Sequence, residues 1–425
     1  MKKQWLNGVA AEAIDHQGKS KLFDVIASSV EELRAGGDYS DEAVAKLGLA
    51  ARIEDLSGIA TKFQIVHAPF HNAAVQPPQL DKNHPMIANI LRMMASNDDL
   101  ETVKKFSGNK LIGAVDKSDG RVYGGFSKLV CPVYLTTALL EDKTFTSREI
   151  AAVVLHELGH VFAYFERLID LVTMNYAIYT SAERMLKLES VVDRVEVLSE
   201  FDKYTGIKIP EKETVAKSNE KGTIYTHLAC ESVKQRRNVE GEEVYSYRGF
   251  EFSADQFATR HGAGADLVTA LDKIERKIWL NPSYISWPVH IMVELIKVTT
   301  YVIGTVLAAK SNPFTLIGTL GLLLAARPMN KLYDDPAERF KRIEGEMVSE
   351  LKNRQLAEER RQQVLTDLET VREISKQITT KRSFWEATWA YVIPSGNASR
   401  KRMEFQQQLE RMTNNELYVA SALFA

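Results

Sequence analysis

Apolar and polar positions follow strand-like spacing in two regions of the chain. Residues 63–67 alternate between apolar and polar side chains in the way that is typical of a half-buried strand, and the run ends at Pro69. Residues 121–135 are rich in Val, Tyr and Phe and contain a pair of glycines, Gly124 and Gly125. We therefore predict one strand in the first region and one or two strands in the second.

Most of the remaining chain shows the spacing of helices. Apolar residues recur at helical intervals over residues 40–60. Few helix breakers interrupt residues 335–378, for which one long helix or a coiled-coil arm is expected. Residues 202–247 are polar and without a clear period, so a loop-rich segment is expected there. Further helices are predicted over residues 1–38, 86–105, 151–165, 168–199, 250–262 and 264–279.

Two apolar runs, residues 291–309 and 313–326, are separated by a short turn-forming segment. A membrane-spanning helix needs about 20 predominantly apolar residues. The first run contains Glu294 and Lys297, and the second is shorter than a span. A buried or interface hairpin is favoured over residues 291–326, and membrane insertion stays open as the alternative.

One apolar helical segment contains the pattern H-E-x-x-H, formed by His156, Glu157 and His160. Residues four apart lie on one face of a helix, so both imidazoles can hold one metal ion. Glu157 follows the first ligand directly and is expected to act as general base on a water at that metal. A Thr-x-x-Glu capping box, Thr146 with Glu149, predicts the start of this helix.

A catalytic zinc site uses three protein ligands and keeps one position open, so a third ligand is expected downstream. Glu166 stands where the metzincin pattern has a histidine, and it is expected to point away from the metal. In the segment G-F-E-F-S-A-D, Glu251 and Asp255 lie four apart on one helix face. Glu251 is therefore the predicted third ligand, and Asp255 is predicted to accept a hydrogen bond from the second nitrogen of a ligand histidine. A solvated acidic face is the alternative for this pair.

Composition argues against several classes of protein. A formal net charge of −2 in 425 residues argues against a dedicated nucleic-acid-binding protein. The two cysteines, Cys131 and Cys230, are too few for a disulfide framework or a cysteine-based zinc site. The first thirty residues start basic but lack a continuous apolar core, so no signal peptide is predicted and an intracellular protein is expected.

The succession of H-E-L-G-H and E-F-S-A-D is similar to the gluzincin zinc peptidases of the HtpX-like and CAAX-prenyl-endopeptidase type. Three further segments resemble parts of that family, and all five lie in the family's order within residues 40–345. They are residues 66–74, like its Asn-Ala-Phe-Ala segment but with Ala74 in place of Phe; residues 129–140, like its edge strand and the following Leu-Leu turn; and residues 335–343, like its His-Pro…Glu-Arg-Ile element but with Asp335 in place of His.

This resemblance implies an α+β, mainly α fold, in which a zincin-like metallopeptidase domain has a small sheet beside the active-site helix. It also implies a zinc-dependent endopeptidase with one Zn²⁺ per chain, whose protein or peptide substrate pairs with the edge strand. By family position, Arg339 is a candidate for stabilising the oxyanion, and Asn72 is a candidate for contacting the substrate backbone. A salt bridge and a turn are the respective structural alternatives.

We expect a helical N-terminal extension over residues 1–38, the metallopeptidase domain over residues 39–348, and a long helical arm with a C-terminal tail over residues 349–425. The hairpin and the arm are also candidates for contact with a protein partner or a membrane. The alternative function is therefore a structural or assembly component of a larger complex, built on a metallopeptidase scaffold. A purely structural site has no need of a general base, so the intact Glu157 favours the enzyme.

Overall fold

The structure of this protein is a computed structural model. It describes residues 21–78, 113–240, 247–277, 336–353 and 356–378, with isolated positions between 84 and 101 and between 288 and 299. The predicted helix over residues 86–105 and the predicted hairpin over residues 291–326 lie outside these continuous ranges. Across the ranges that are described, no helix combines the length and the apolar character needed to cross a membrane.

The chain forms two compact units, residues 1–263 and residues 264–425. The predicted domain boundaries, after residues 38 and 348, stay predictions. The first unit contains nine α-helices in its described part: α1 (Leu22–Gly36), α2 (Asp41–Lys46), α3 (Leu49–Ser57), α4 (Thr137–Glu141), α5 (Ser147–Lys187), α6 (Val191–Thr205), α7 (Lys212–Ala216), α8 (Lys221–Glu240) and α9 (Tyr247–Ala258).

The same unit contains two small sheets. Their strands are β1 (Thr61–Val66), β2 (Ala73–Val75), β3 (Ala114–Asp116), β4 (Arg121–Tyr123) and β5 (Cys131–Thr136). The larger sheet has the order β1–β5–β2, with β5 parallel to β1 and antiparallel to β2. Strands β3 and β4 form an antiparallel hairpin. The expectation of a mainly helical α+β protein with a small sheet is confirmed.

The strand that resembles the edge strand of the peptidase family is central in this sheet. β5 lies between β1 and β2, because the loop between those two strands carries the chain past the end of β5. The expectation of an edge position for residues 131–136 is therefore wrong. In the described part of the chain, it is β2 that borders the long helix α5 at the edge of the sheet.

Helix α5 is 41 residues long and carries the H-E-x-x-H residues. It begins at the predicted capping box: the Thr146 hydroxyl accepts from the Glu149 amide, and the Glu149 carboxylate accepts from the Thr146 amide. Its apolar face packs against α1 and α9, and Phe165 stacks on Phe126 with ring centroids 4.7 Å apart. The H-E-x-x-H pattern therefore lies on the most extensively packed helix in the described part of the first unit.

The structure differs from three of the sequence predictions for the first unit. Two predicted helices are interrupted, and a segment expected to be loop-rich is helical. The helix predicted over residues 40–60 is interrupted at Gly48, whose φ is 64°. The helix predicted over residues 168–199 ends at Lys187 and restarts at Val191. The segment expected to be loop-rich contains α7 and α8, because Ile224 and Leu228 give α8 a buried stripe that its polar composition conceals.

The described helices of the second unit are α10 (Gly264–Arg276), α11 (Pro336–Leu351) and α12 (Glu358–Gln377), which pack on one another. The single long helix expected over residues 335–378 is therefore wrong. Arg361 donates to the carbonyls of Leu351 and Asn353 and so satisfies the end of α11. Arg360 holds both carboxylate oxygens of the fully buried Glu350, at 2.9 and 3.2 Å, across the same break.

Candidate metal centre

Helices α5 and α9 approach each other most closely at a glycine of the H-E-L-G-H segment. A Cβ atom placed on Gly159 would lie 2.7 Å from the Cα of Ala254 and 3.0 Å from the Cβ of Phe257. One turn further along, the rings of Phe162 and Phe257 pack with centroids 5.1 Å apart. The contact brings α9 against the face of α5 that carries the two histidines.

Three side chains of α5 form a group that could hold a metal ion. The ligand atoms of His156, Glu157 and His160 all lie within 4.8 Å of one another. This proximity follows from the spacing of four between the histidines, which places both rings on one face of the helix. Among the described residues, this is the only such group of histidines, cysteines and carboxylates.

The Glu251 carboxylate faces both imidazoles from α9. Its Oε2 atom lies 3.4 Å from Nε2 of His156, and its Oε1 atom lies 3.5 Å from Nε2 of His160. The Glu251 side chain is 2 % exposed, and the close approach at Gly159 brings its helix within reach of the histidines. A carboxylate so deeply buried is stable only beside cationic or hydrogen-bonding groups, or a metal ion.

Asp255 lies one turn after Glu251 and contacts the other nitrogen of His156. Its Oδ1 atom is 3.0 Å from Nδ1 of His156, and its side chain is also 2 % exposed. A carboxylate at this nitrogen favours the tautomer with the proton on Nδ1 and an unprotonated Nε2, which is the form of imidazole that binds a metal. The structure therefore brings together the four residues singled out as ligands and ligand partner, although their roles in metal binding stay predictions.

Glu157 is held differently from Glu251. Its Oε2 atom accepts a hydrogen bond of 3.0 Å from the backbone N–H of Val75 in β2. The side chain of Glu157 is partly exposed, whereas that of Glu251 is buried. Both carboxylates are close to the histidines, but only Glu157 lies at the edge of the sheet.

The edge of β2 presents backbone groups beside α5. Two backbone hydrogen bonds join β2 to β5: the Thr136 amide donates to the Asn72 carbonyl (3.1 Å), and the Gln76 amide donates to the Pro132 carbonyl (2.9 Å). Because alternate residues of an antiparallel strand bond to the neighbouring strand, the N–H and C=O groups of Ala73 and Val75 point away from β5. In the described part of the chain no further strand pairs with that side, where the Val75 N–H donates to Glu157.

Asn72 lies at the start of this edge, and its side chain is exposed. Its backbone is fixed, because its N–H donates to the Thr136 hydroxyl and its carbonyl accepts from both the amide and the hydroxyl of Thr136. The rigid backbone and exposed amide side chain agree with the predicted contact to substrate, which stays a prediction.

Glu166 and His71 each contact a side chain outside the group formed by His156, Glu157 and His160. Glu166 pairs with Lys117 of the loop after β3, so this carboxylate is engaged away from the histidines, as expected. His71 lies 2.8 Å from Asp142 and stacks on Phe145. Arg339 is a buried residue of α11 in the second unit, and its catalytic role stays a prediction.

Two further ionisable groups lie near the sheet and α5. Burial raises the pKa of the Cys131 thiol to about 12, so this side chain stays protonated and is a poor metal ligand at neutral pH. Burial also raises the pKa of Tyr164, which lies one turn after His160. The protonated Tyr164 hydroxyl donates a hydrogen bond of 3.1 Å to the carbonyl of Pro78.

Sequence reasoning missed the contact of Val75 with Glu157 and the two contacts, through His71 and Tyr164, that hold β2 near α5. Strand β2 has only three residues, which is too short for an alternating pattern to be recognised. The nearest signal in the sequence is Pro69, between His67 and His71, which disfavours a helix there but does not indicate a strand partner.

We expect Gly159→Ala to destabilise the first unit and to weaken metal binding together. The added methyl group meets backbone atoms of α9, so the helices must separate, at a cost of about 1–3 kcal/mol, and Glu251 must move with α9. Thermal unfolding and zinc titration measure the two effects. Gly345→Ala in α11 is the matched control, because no heavy atom lies within 4 Å of its added Cβ. Equal thermal stability and equal zinc affinity in the two variants would contradict the close approach of α5 and α9 at Gly159.

Comparison with known proteins gives no relative for this chain: no family model, no curated protein and no solved structure matches it.

Proposed function

We propose that this protein is a zinc-dependent endopeptidase that hydrolyses peptide bonds in protein substrates. The observation that carries the proposal is the separation of the Glu251 oxygens from Nε2 of His156 and Nε2 of His160, 3.4 and 3.5 Å. Ligand atoms that surround zinc tetrahedrally at about 2.1 Å lie about 3.4 Å from one another. Because N–H···O hydrogen bonds are usually about 2.9 Å long, these separations fit ligands of one ion better than direct hydrogen bonds.

The donor set itself fits zinc. Two imidazole nitrogens and one carboxylate are a combination used by catalytic zinc sites, which keep a fourth position open. Zn²⁺, when bound there, lowers the pKa of water towards neutrality and polarises a peptide carbonyl. We assign one Zn²⁺ per chain to His156, His160 and Glu251. Asp255 orients His156 for this role.

Glu157 is the general base of the proposed reaction. It belongs to the same group as the two histidines, yet one of its oxygens is held by the Val75 amide at the edge of β2. From this position Glu157 takes a proton from the attacking water and later passes it to the leaving amine. Glu251 is less suited to this work, because it is buried against both imidazoles.

The edge of β2 is the proposed binding site for the substrate backbone. A peptide that adds to this edge hydrogen-bonds to the outward groups of Ala73 and to the Val75 carbonyl, since the Val75 N–H donates to Glu157, and its own carbonyls then lie beside α5. Backbone pairing is independent of side chains, so it suits an enzyme that cleaves extended segments of proteins. Asn72, exposed at the start of the strand, is a further proposed contact for the substrate backbone.

A zincin-like domain accounts for these features together, since it combines an H-E-x-x-H helix, a third ligand on a second helix and a sheet edge beside them. The resemblance to the HtpX-like and CAAX-prenyl-endopeptidase-type peptidases supports the same proposal from the order of the sequence motifs.

Hydrolysis that depends on metal is the direct test of the proposal. We expect the wild-type protein to cleave fluorescently labelled casein, to lose this activity after removal of metal with dipicolinate, and to regain it when Zn²⁺ is added back. Isophthalate, a dicarboxylate that does not chelate zinc at one site, is the control. Cleavage that continues after complete metal removal would contradict a zinc peptidase.

A further inference from the structure

The N–H group of Val75 has an unusual position, because it belongs to a strand but is not used by the sheet. The backbone hydrogen bonds at Asn72 and Gln76 set the pairing of β2 with β5. In that pairing the Val75 N–H points away from β5. It donates instead to Oε2 of Glu157, at 3.0 Å.

Contacts on both sides of Val75 hold this part of the chain against α5 and the loop before it. On one side, Nε2 of His71 lies 2.8 Å from Oδ2 of Asp142, shortly before α5 begins. On the other side, the Tyr164 hydroxyl of α5 donates to the carbonyl of Pro78 at 3.1 Å. The strand is therefore tied to the region of α5 at two points, and the Val75 amide lies between them.

We propose that the backbone N–H of Val75 is a positioning group that orients Glu157 for proton transfer. This inference rests on the proposed function, and it adds a role for β2 beyond the binding of a peptide. A glutamate side chain has several rotamers, and holding it in one costs conformational entropy. The hydrogen bond from the Val75 amide fixes one oxygen of Glu157 in advance, so less conformational freedom is lost when the proton is transferred.

A substitution can remove the Val75 N–H while strand β2 is kept. Proline at position 75 lacks the N–H, and proline is accepted in an edge strand where the N–H faces away from the neighbouring strand. The residue before a proline prefers an extended backbone, which Ala74 already has as the centre of β2. Val75→Ala is the matched control, because it shortens the side chain and keeps the N–H.

We expect kcat for casein-derived peptides to be on the order of tenfold lower in Val75→Pro than in Val75→Ala, with similar KM and zinc content in the two variants. A purely structural role would instead raise KM or reduce zinc content and stability in both variants. Equal kcat in Val75→Pro and Val75→Ala would overturn the proposal.

Hydrogen exchange of the Val75 amide tests the hydrogen bond without any activity assay. In the full-length protein, Glu157→Ala should accelerate exchange at Val75 on the order of tenfold. The neighbouring Gln76 amide should be unchanged, because it donates to the Pro132 carbonyl at 2.9 Å. Unchanged exchange at Val75 would overturn the positioning role even if the protein is a peptidase. If the wild-type protein has no peptidase activity but Glu157→Ala still accelerates exchange at Val75, the proposed function is contradicted and the hydrogen bond between Val75 and Glu157 is established.

Discussion

Glu157→Gln is expected to abolish most peptide hydrolysis while the protein keeps its metal. The amide of glutamine is similar in size to the carboxylate but cannot accept a proton from the attacking water, so we expect kcat to fall by about 10²- to 10⁴-fold. Zinc content should be unchanged, because the proposed ligands are His156, His160 and Glu251. Parallel measurements of casein cleavage and zinc content check both parts.

Glu166→Gln is the matched control for this variant. It removes a carboxylate from the same helix, but one that pairs with Lys117. We expect it to retain cleavage at the level of the wild type. Full cleavage by Glu157→Gln would show that Glu157 is not the base. A wild-type protein that binds zinc but cleaves no substrate would favour the structural or assembly component that an intact scaffold also permits.

Removal of a proposed ligand is expected to weaken zinc binding severely. His160→Ala and Glu251→Ala each delete one of the three proposed zinc ligands. Loss of a residue that only hydrogen-bonds to a ligand lowers metal affinity by up to roughly 100-fold, so each of these two variants should lower zinc affinity by more than that. Asp255→Ala deletes such a partner of His156 and should fall within about 10- to 100-fold. Competition against a chromophoric zinc chelator measures all three affinities on one scale.

The order of these affinities is the informative result, and Glu166→Ala again serves as the control carboxylate of α5. Zinc affinity that falls less in Glu251→Ala than in Asp255→Ala would reverse the assignment of ligand and partner. Zinc affinity that is unchanged in Glu251→Ala would exclude that residue as the third ligand.

The parts of the structure that sequence reasoning predicted well are those fixed by local spacing. The capping box at Thr146 and Glu149 determines where α5 begins, and the spacing of His156 and His160 determines that they share a face. The pair Glu251 and Asp255 follows the same rule on α9, so its members face one partner, His156. Local periodicity was therefore enough to identify these four candidate residues from the sequence.

The parts that sequence reasoning missed depend on contacts between distant segments. Pairing of β2 with β5 makes β5 central and gives Val75 its outward amide, but neither strand carries a signal that names its partner. The break between α11 and α12 brings Arg360 against the buried carboxylate of Glu350, and in the sequence both residues resemble ordinary surface charges. In both cases the interaction joins residues that no local pattern relates.

The zinc content of the purified wild-type protein, measured by mass spectrometry beside His160→Ala and Glu251→Ala, tests the central claim most directly. A site built from His156, His160 and Glu251 predicts about one zinc per chain in the wild type and almost none in either variant. A wild type that binds no zinc when purified without chelators, or one that keeps its zinc in both variants, would contradict the metal centre described for this chain.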